Sequence, residues 1–197
     1  MYIENLAQFS ISPSEHWLLF SQGTQVGLMD LTTSTIARVK AFDKILGLDV
    51  TRCIRTIAWS PDEKKVAFAE GFRITIFDLE NNQNYVVKVD ADVFDLEWAT
   101  NDEFIYVEGY LPYQSQNLKG ESVYGIYSHS LSTKEDHLIL RRDHHEPVSI
   151  KPKVSPSGRL LLFSEREAEH GYQVKLMTVR GDSMMTVCSG YEPVWGK

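Results

Sequence analysis

The sequence predicts an all-β fold made of four similar sheet units, on three observations. One phrase recurs four times, each copy holds a turn signal between two apolar runs, and each is followed by a third run of alternating character. The copies are Phe9-Ser-Ile-Ser-Pro-Ser-Glu-His-Trp-Leu-Leu-Phe, Ile57-Ala-Trp-Ser-Pro-Asp-Glu-Lys-Lys-Val-Ala-Phe, Leu96-Glu-Trp-Ala-Thr-Asn-Asp-Glu-Phe-Ile-Tyr and Pro152-Lys-Val-Ser-Pro-Ser-Gly-Arg-Leu-Leu-Leu-Phe. With Ser12, Ser60, Ala99 and Ser155 as anchors the intervals are 48, 39 and 56 residues.

Each phrase reads as a hairpin. An apolar strand ends at the anchor, proline presets φ for a turn, and Asp, Ser or Gly lets the chain reverse into a second apolar strand. The third strands are Val26-Gly-Leu-Met-Asp-Leu, Ile74-Thr-Ile-Phe-Asp-Leu, Tyr124-Gly-Ile-Tyr-Ser-His-Ser-Leu and Val174-Lys-Leu-Met-Thr-Val, each followed by a polar turn. Weaker fourth strands are expected over Thr35–Val39, Tyr85–Val89, Glu135–Leu140 and Ser183–Cys188. Four strands per unit, at intervals around the 40–50 residues usual for a blade, is the arithmetic of a β-propeller. The expected fold class is therefore all-β and propeller-like, with about four blades of four antiparallel strands. The blades fall near 6–40, 53–90, 92–141 and 148–189 of a single domain, and 190–197 adds an extra C-terminal strand.

These residues resemble the TolB-like, WD-repeat-like β-propeller repeat, whose signature is a Trp-Ser-Pro-Asp-Gly turn, an apolar strand ending in Phe and a strand ending in Asp-Leu. Trp59-Ser-Pro-Asp62, Phe68 and Phe77-Asp-Leu79 match best. The first copy supplies Ser12-Pro13 and Met29-Asp-Leu31, and the fourth Ser155-Pro-Ser-Gly158, whereas the third departs with Trp98-Ala-Thr-Asn101. The resemblance implies architecture and is nearly silent on function, because such repeats serve scaffolds, exported proteins and the propeller halves of peptidases.

Closure stays open. The end, Tyr191-Glu-Pro-Val-Trp-Gly-Lys197, repeats the last step of an opening strand at Val194-Trp195. Three arrangements fit: a four-bladed ring with this strand at the seam, a propeller completed by a second copy or a partner, and a piece of a longer chain. A compact four-blade assembly is the favoured expectation.

Two segments break the repeat, and insertions in repeat folds gather where partners bind. Ala41–Arg52 places Phe42, Ile45, Leu46 and Leu48 at helix-like spacing, so a short helix is expected there, either a binding element or an apolar plug. Glu108–Ser122 lengthens the hairpin of blade three and carries Tyr110, Leu111 and Tyr113. Tyrosine offers large contact area with few rotors to freeze and keeps a polar tip, which suits a protein-binding loop. The candidate partner-binding residues are thus Tyr110, Leu111, Tyr113, Phe42 and Leu46.

Composition narrows the function classes. With 27 acidic against 20 basic side chains and a net charge of −7, the chain lacks the Lys/Arg surplus of a nucleic-acid binder. No apolar run approaches the ~20 residues that span a bilayer and no signal peptide is evident, so no membrane contact and a cytoplasmic location are expected. Cys53 and Cys188 are far apart and form no C-x-x-C pair, and both are expected to be buried, reduced thiols.

Catalytic signatures fail on spacing or context. Gly120-Glu-Ser-Val-Tyr-Gly125 misses the nucleophile elbow by one position and lies among strands. His137, Asp143, His144 and His145 could meet a metal only in a turn, because adjacent strand residues face opposite ways. Glu165-Arg-Glu-Ala-Glu-His170 reads as a solvated hairpin tip, and Arg180-Gly-Asp182 as a tight turn. Phosphate and calcium loops have no match, so no catalytic residue, metal site or cofactor is assigned. The expected function is a non-catalytic protein-interaction module, an adaptor or an inhibitor of immunity-protein type, whose acidic surface steers a basic protein partner. The alternatives are an accessory or truncated propeller of a hydrolase or peptidase, and small-ligand binding in a central funnel. Monomer and dimer both fit.

Overall fold

The computed structural model describes residues 6–22, 25–37, 54–81, 83–110, 122–144, 151–167 and 169–195. Blade one comprises β1 (Leu6–Ile11), β2 (Trp17–Gln22), β3 (Gln25–Asp30) and β4 (Thr35–Ala37), and blade two β5 (Thr56–Trp59), β6 (Lys65–Glu70), β7 (Arg73–Asp78) and β8 (Gln83–Lys88). Blade three comprises β9 (Asp92–Trp98), β10 (Glu103–Tyr110), β11 (Ser122–Ser130) and β12 (Glu135–His144), and blade four β13 (Lys153–Val154), β14 (Leu160–Glu167), β15 (Gly171–Thr178) and β16 (Met185–Ser189). Each sheet joins its four strands in chain order, and the described residues contain no helix. The expected all-β architecture of four antiparallel four-stranded blades is the one observed. The helix expected over Ala41–Arg52 lies outside the described residues, as does 111–121 of the second insertion.

The repeated phrase forms a repeated turn. The anchor N–H donates across it to the first residue of the second strand, Ser12 to the Trp17 carbonyl at 2.8 Å, Ser60 to Lys65 at 2.9 Å, Ala99 to Glu103 at 2.9 Å and Ser155 to Leu160 at 2.8 Å. The anchor hydroxyl accepts in return, from the N–H of Trp17 at 3.2 Å, of Lys65 at 2.9 Å and of Leu160 at 3.1 Å. Ala99 has no hydroxyl, and in blade three Thr100 Oγ1 substitutes, accepting from the N–H groups of Asp102 and Glu103. The departure from the repeat thus keeps the physical function of the turn, which is to satisfy backbone donors that no ladder reaches.

The turn between third and fourth strands is set the same way. Asp30 Oδ1 accepts from the N–H groups of Thr32 and Thr33, and Asp78 Oδ1 from those of Glu80 and Asn81, both at 2.9 Å. Blade three uses Ser130 and blade four Thr178 for the same purpose. The side-chain bond from Thr32 leads the group of donors that holds the Asp30 carboxyl below its ordinary range. At Asp78 burial pushes upward, and the bonds from Asn81 and Glu80 outweigh it to leave the carboxyl lowered.

The chain divides into two compact units, Met1–Val93 and Phe94–Lys197, each with its own core between two blades. In the first, Leu19, Val26 and Leu28 of blade one meet Ile57, Trp59, Val66, Phe68 and Phe77 of blade two. In the second, Ile105, Val107, Tyr124, Ile126 and Ile139 of blade three meet Val154, Leu161, Phe163 and Met177 of blade four. Within each unit the anchor turns also touch. The Glu63 carboxylate accepts from the Ser14 N–H and, at 2.8 Å, from its hydroxyl.

Gly158 holds the position that Glu15 and Glu63 hold in blades one and two, all with positive φ, at 71°, 62° and 59°. Left-handed backbone alone therefore does not demand glycine there. A Cβ at 158 would stand 2.6 Å from the Ala99 carbonyl oxygen, and that close approach excludes a side chain.

Two local expectations are corrected. Cys188 is exposed rather than buried, because β16 presents all five residues to solvent, while Cys53 lies outside the described residues. Glu165 is not part of a solvated tip: it lies in β14, 6% exposed, and accepts a hydrogen bond from the Tyr124 hydroxyl at 3.2 Å. A neighbouring blade supplies that donor, and nothing in the local run Glu165–His170 announces it.

Candidate functional site

Along an opening strand alternate residues face opposite ways, and in blades three and four the positions one and three before the anchor turn into the core while those two and four before it turn away. In blade three Leu96 and Trp98 are buried and Asp95 and Glu97 half-buried; ahead of blade four Pro152 and Val154 are buried and Lys151 and Lys153 half-buried. The opening segments of this unit thus set two carboxylates against two ammonium groups.

Lys153 Nζ lies 3.0 Å from Glu97 Oε2. Lys151 pairs with Glu192 and stands 5.5 Å from the centre of the Tyr191 ring. Burial is the largest influence on Asp95 and, although the Leu96 N–H and Lys153 oppose it, pushes the carboxyl up to about 6. Burial likewise raises Glu97 against the pull of Lys153. Burial disfavours the Lys153 ammonium, but the Glu97 carboxylate outweighs that and raises its pKa. The set offers charges of both signs and one carboxyl that changes protonation near pH 6. It can recognise a charged group on a ligand; it holds no evident nucleophile.

The partner-binding residues predicted from sequence are not brought together with this set. Phe42, Leu46, Leu111 and Tyr113 lie outside the described residues. Tyr110 ends β10, where its backbone pairs with Val123, and its side chain is not among those described. Sequence reasoning missed Asp95, Glu97, Lys151 and Lys153, although the signal was there: like charges at period two, directly before two anchors.

Blade three is tied by a polar network toward the end of its hairpin where Glu103 pairs with Ser130. Asp136 Oδ1 meets the Tyr106 hydroxyl at 3.0 Å and His129 Nδ1 at 2.9 Å, the Tyr106 and Tyr127 rings stack at 5.4 Å, and the His129 and Phe104 rings lie 5.1 Å apart. Burial first, then the charges of Asp136 and Glu108, raises the Tyr106 phenol, so it stays a proton donor. His144, one of the imidazoles weighed for a metal, ends β12 opposite Ser122, and His145 lies outside the described residues. No group of three or more metal-ligating side chains occurs among the described residues.

A scan against protein-family models finds no match, and neither does a search of curated protein sequences. Solved structures do match. The β-propeller domain of Cps50 (Swd1) of Myceliophteria thermophila superposes with a TM-score of 0.54 at 16% identity, over 91% of this chain and 67% of that one. The fold is a β-propeller. A putative TolB from Agrobacterium tumefaciens gives a TM-score of 0.62 at 15% identity, over 90% of this chain and 63% of that one. A chain of a nidogen/laminin complex gives 0.70 at 7% identity, over 98% of this chain and 68% of its own length. The propeller described here thus spans about two thirds of each matched chain. Identities this low speak to fold alone, and they agree with the TolB-like, WD-like repeat that Trp59–Asp62 and Phe77–Leu79 suggest.

Proposed function

We propose that this propeller is a non-catalytic scaffold that binds a protein partner through the loop on blade three, with Tyr110, Leu111 and Tyr113 as anchors and Phe42 and Leu46 of the first insertion as a second contact. The observation that carries this reading is the long hairpin whose strands, β10 and β11, residues 111–121 connect in sequence. β10, β11 and β12 run for 8, 9 and 10 residues, against 6, 6 and 6 for β6, β7 and β8, and the Tyr106–Asp136–His129 network ties the three strands together. Long, cross-linked strands give a stiff support to whatever binds at their ends, and stiffness lowers the ordering cost of binding. The net charge of −7 favours a basic partner, as for an adaptor or an inhibitor of a basic protein, and the reading carries a cytoplasmic location with it.

The test is titration calorimetry with a partner recovered from the source cells. Tyr110→Ala combined with Tyr113→Ala weakens binding at least about tenfold, the scale of a lost aromatic hot spot. Affinity within twofold of the parent removes the loop as anchor.

A second reading rests on the Asp95–Glu97–Lys151–Lys153 set. These groups, on the opening segments of the second unit, offer both signs of charge to a small charged ligand. Thermal stabilisation that depends on ligand concentration separates this reading from the first. An accessory role beside a hydrolase is distinguished by the genes that flank this one.

A further inference from the structure

The charged set on the opening segments of blades three and four is built as two equivalent steps. Glu97 and Lys153 stand two residues before their anchors, Ala99 and Ser155; Asp95 and Lys151 stand four before them, and all four side chains are half-buried. One step closes on itself, with Lys153 Nζ 3.0 Å from Glu97 Oε2. The other does not. Lys151 turns instead to the Glu192 carboxylate and to the Tyr191 ring, whose centre lies 5.5 Å from its Nζ. The segment that carries Glu192 is seated on blade four by contacts of its own. The Gly190 N–H donates to the Tyr172 carbonyl at 2.9 Å, Trp195 Nε1 to the Lys153 carbonyl at 2.9 Å, and the Tyr191 and Tyr172 rings lie 4.8 Å apart. The Lys151 ammonium is thus engaged, and among the described residues no cation stands within ion-pair distance of Asp95.

We infer that Asp95 anchors a primary ammonium group of a ligand, an inference that rests on the second reading above, in which this set holds a charged ligand. The charge count selects the sign. Asp95, Glu97 and Glu192 set three carboxylates against the two ammonium groups of Lys151 and Lys153, and each ammonium is already paired with Glu192 or Glu97. An anion must therefore compete with a carboxylate in place, whereas a cation meets one that no ammonium engages at ion-pair distance. Geometry selects the type of cation. Asp95 Oδ1 accepts from the Leu96 N–H at 2.9 Å, which leaves Oδ2 as the oxygen open to a new donor. A guanidinium binds a carboxylate best through a fork that uses both oxygens, whereas a compact ammonium is satisfied by one. A divalent metal is a poor occupant, because no group of three metal-ligating side chains occurs among the described residues and the Lys151 and Lys153 charges act on the same carboxyl. Burial, the largest influence on Asp95, makes its ionised form costly, and a bound ammonium offsets that cost.

The experiment follows the backbone amides of Leu96 and Lys153 by nitrogen–proton NMR while butylammonium chloride is titrated at constant ionic strength, at about pH 8, where the Asp95 carboxyl is ionised. The expected shift saturates in the parent, and the affinity falls at least about tenfold in Asp95→Asn, the scale of one charge-assisted hydrogen bond. Asn keeps the shape and still accepts from the Leu96 N–H, so the fold and the reporter survive the change. Butylguanidinium should bind more weakly than butylammonium. Equal affinity in Asp95→Asn, or butylguanidinium binding as tightly as butylammonium, overturns the inference. If sodium butyrate saturates the shift and butylammonium does not, the ammonium assignment falls and the charged-ligand reading stands; if neither saturates it, both fall. A blocked Gly-Gly-Lys-Gly-Gly peptide separates the two sources of an ammonium. Tighter binding than butylammonium assigns the group to a lysine side chain of a protein partner, and equal or weaker binding to a free amine.

Discussion

Asp95 sits half-buried on β9 with its carboxyl pushed up to about 6 from an ordinary 3.8. A carboxyl whose folded pKa lies above its unfolded one takes up a proton on folding between those two values. Stability therefore falls as pH rises from about 4 through about 6, and the burial of an ionised carboxylate then persists as a standing cost above that window. Asp95→Asn keeps the shape and removes the charge. Urea unfolding should show the variant more stable than the parent at pH 8 and level with it at pH 4; a difference of equal size at both values contradicts the account. Asp78 runs the other way. Its folded pKa is lowered, so its contribution is present above 3.8 and is lost as pH falls through the lower folded value.

Strands of one blade carry very different shares of the packing. In β6 and β7 every residue after the first is buried, on both faces of the sheet, while β8 exposes all but one of its six. The alternation expected of the third strand is therefore absent in blade two, where β7 lies between β6 and β8 and buries residues of both its faces. Phe68 on β6 is fully buried and Tyr85 on β8 is 46% exposed. Phe68→Ala should cost about 3–5 kcal/mol in denaturant unfolding, and Tyr85→Ala less than about 1 kcal/mol, as a largely solvated site does. Equal costs would mean that the blade is not loaded from its inner strands. The same contrast explains Cys188, which shares the outermost strand of its sheet with exposed Met185 and Val187.

The charge of the whole chain acts at longer range than any contact. On the proposed reading a net charge of −7 attracts a basic partner before the surfaces meet, and salt screens that attraction, with a Debye length of about 10 Å at 0.1 M falling to about 3 Å at 1 M. Stopped-flow association with a basic partner should slow by about tenfold between 0.05 and 0.5 M NaCl, while dissociation changes far less. An association rate that is flat across that range removes steering from the account.

The sequence by itself determined the class of fold, the number of blades and the place of each turn. These follow from local chemistry: Ser12, Ser60 and Ser155 cap backbone donors within five residues of themselves, and Asp30 and Asp78 within three. Even the irregular third blade obeys this, because Thr100 supplies next door the oxygen that Ala99 lacks. Only the tertiary structure decided which blade lies against which, and with it the burial of Glu165 beneath Tyr124, the need for glycine at 158, the paired charges of Glu97 and Lys153, and the turn of Lys151 to Glu192. Each of those depends on atoms 41 to 59 residues apart in the chain, and no local run of residues encodes which distant carbonyl or carboxylate will face it.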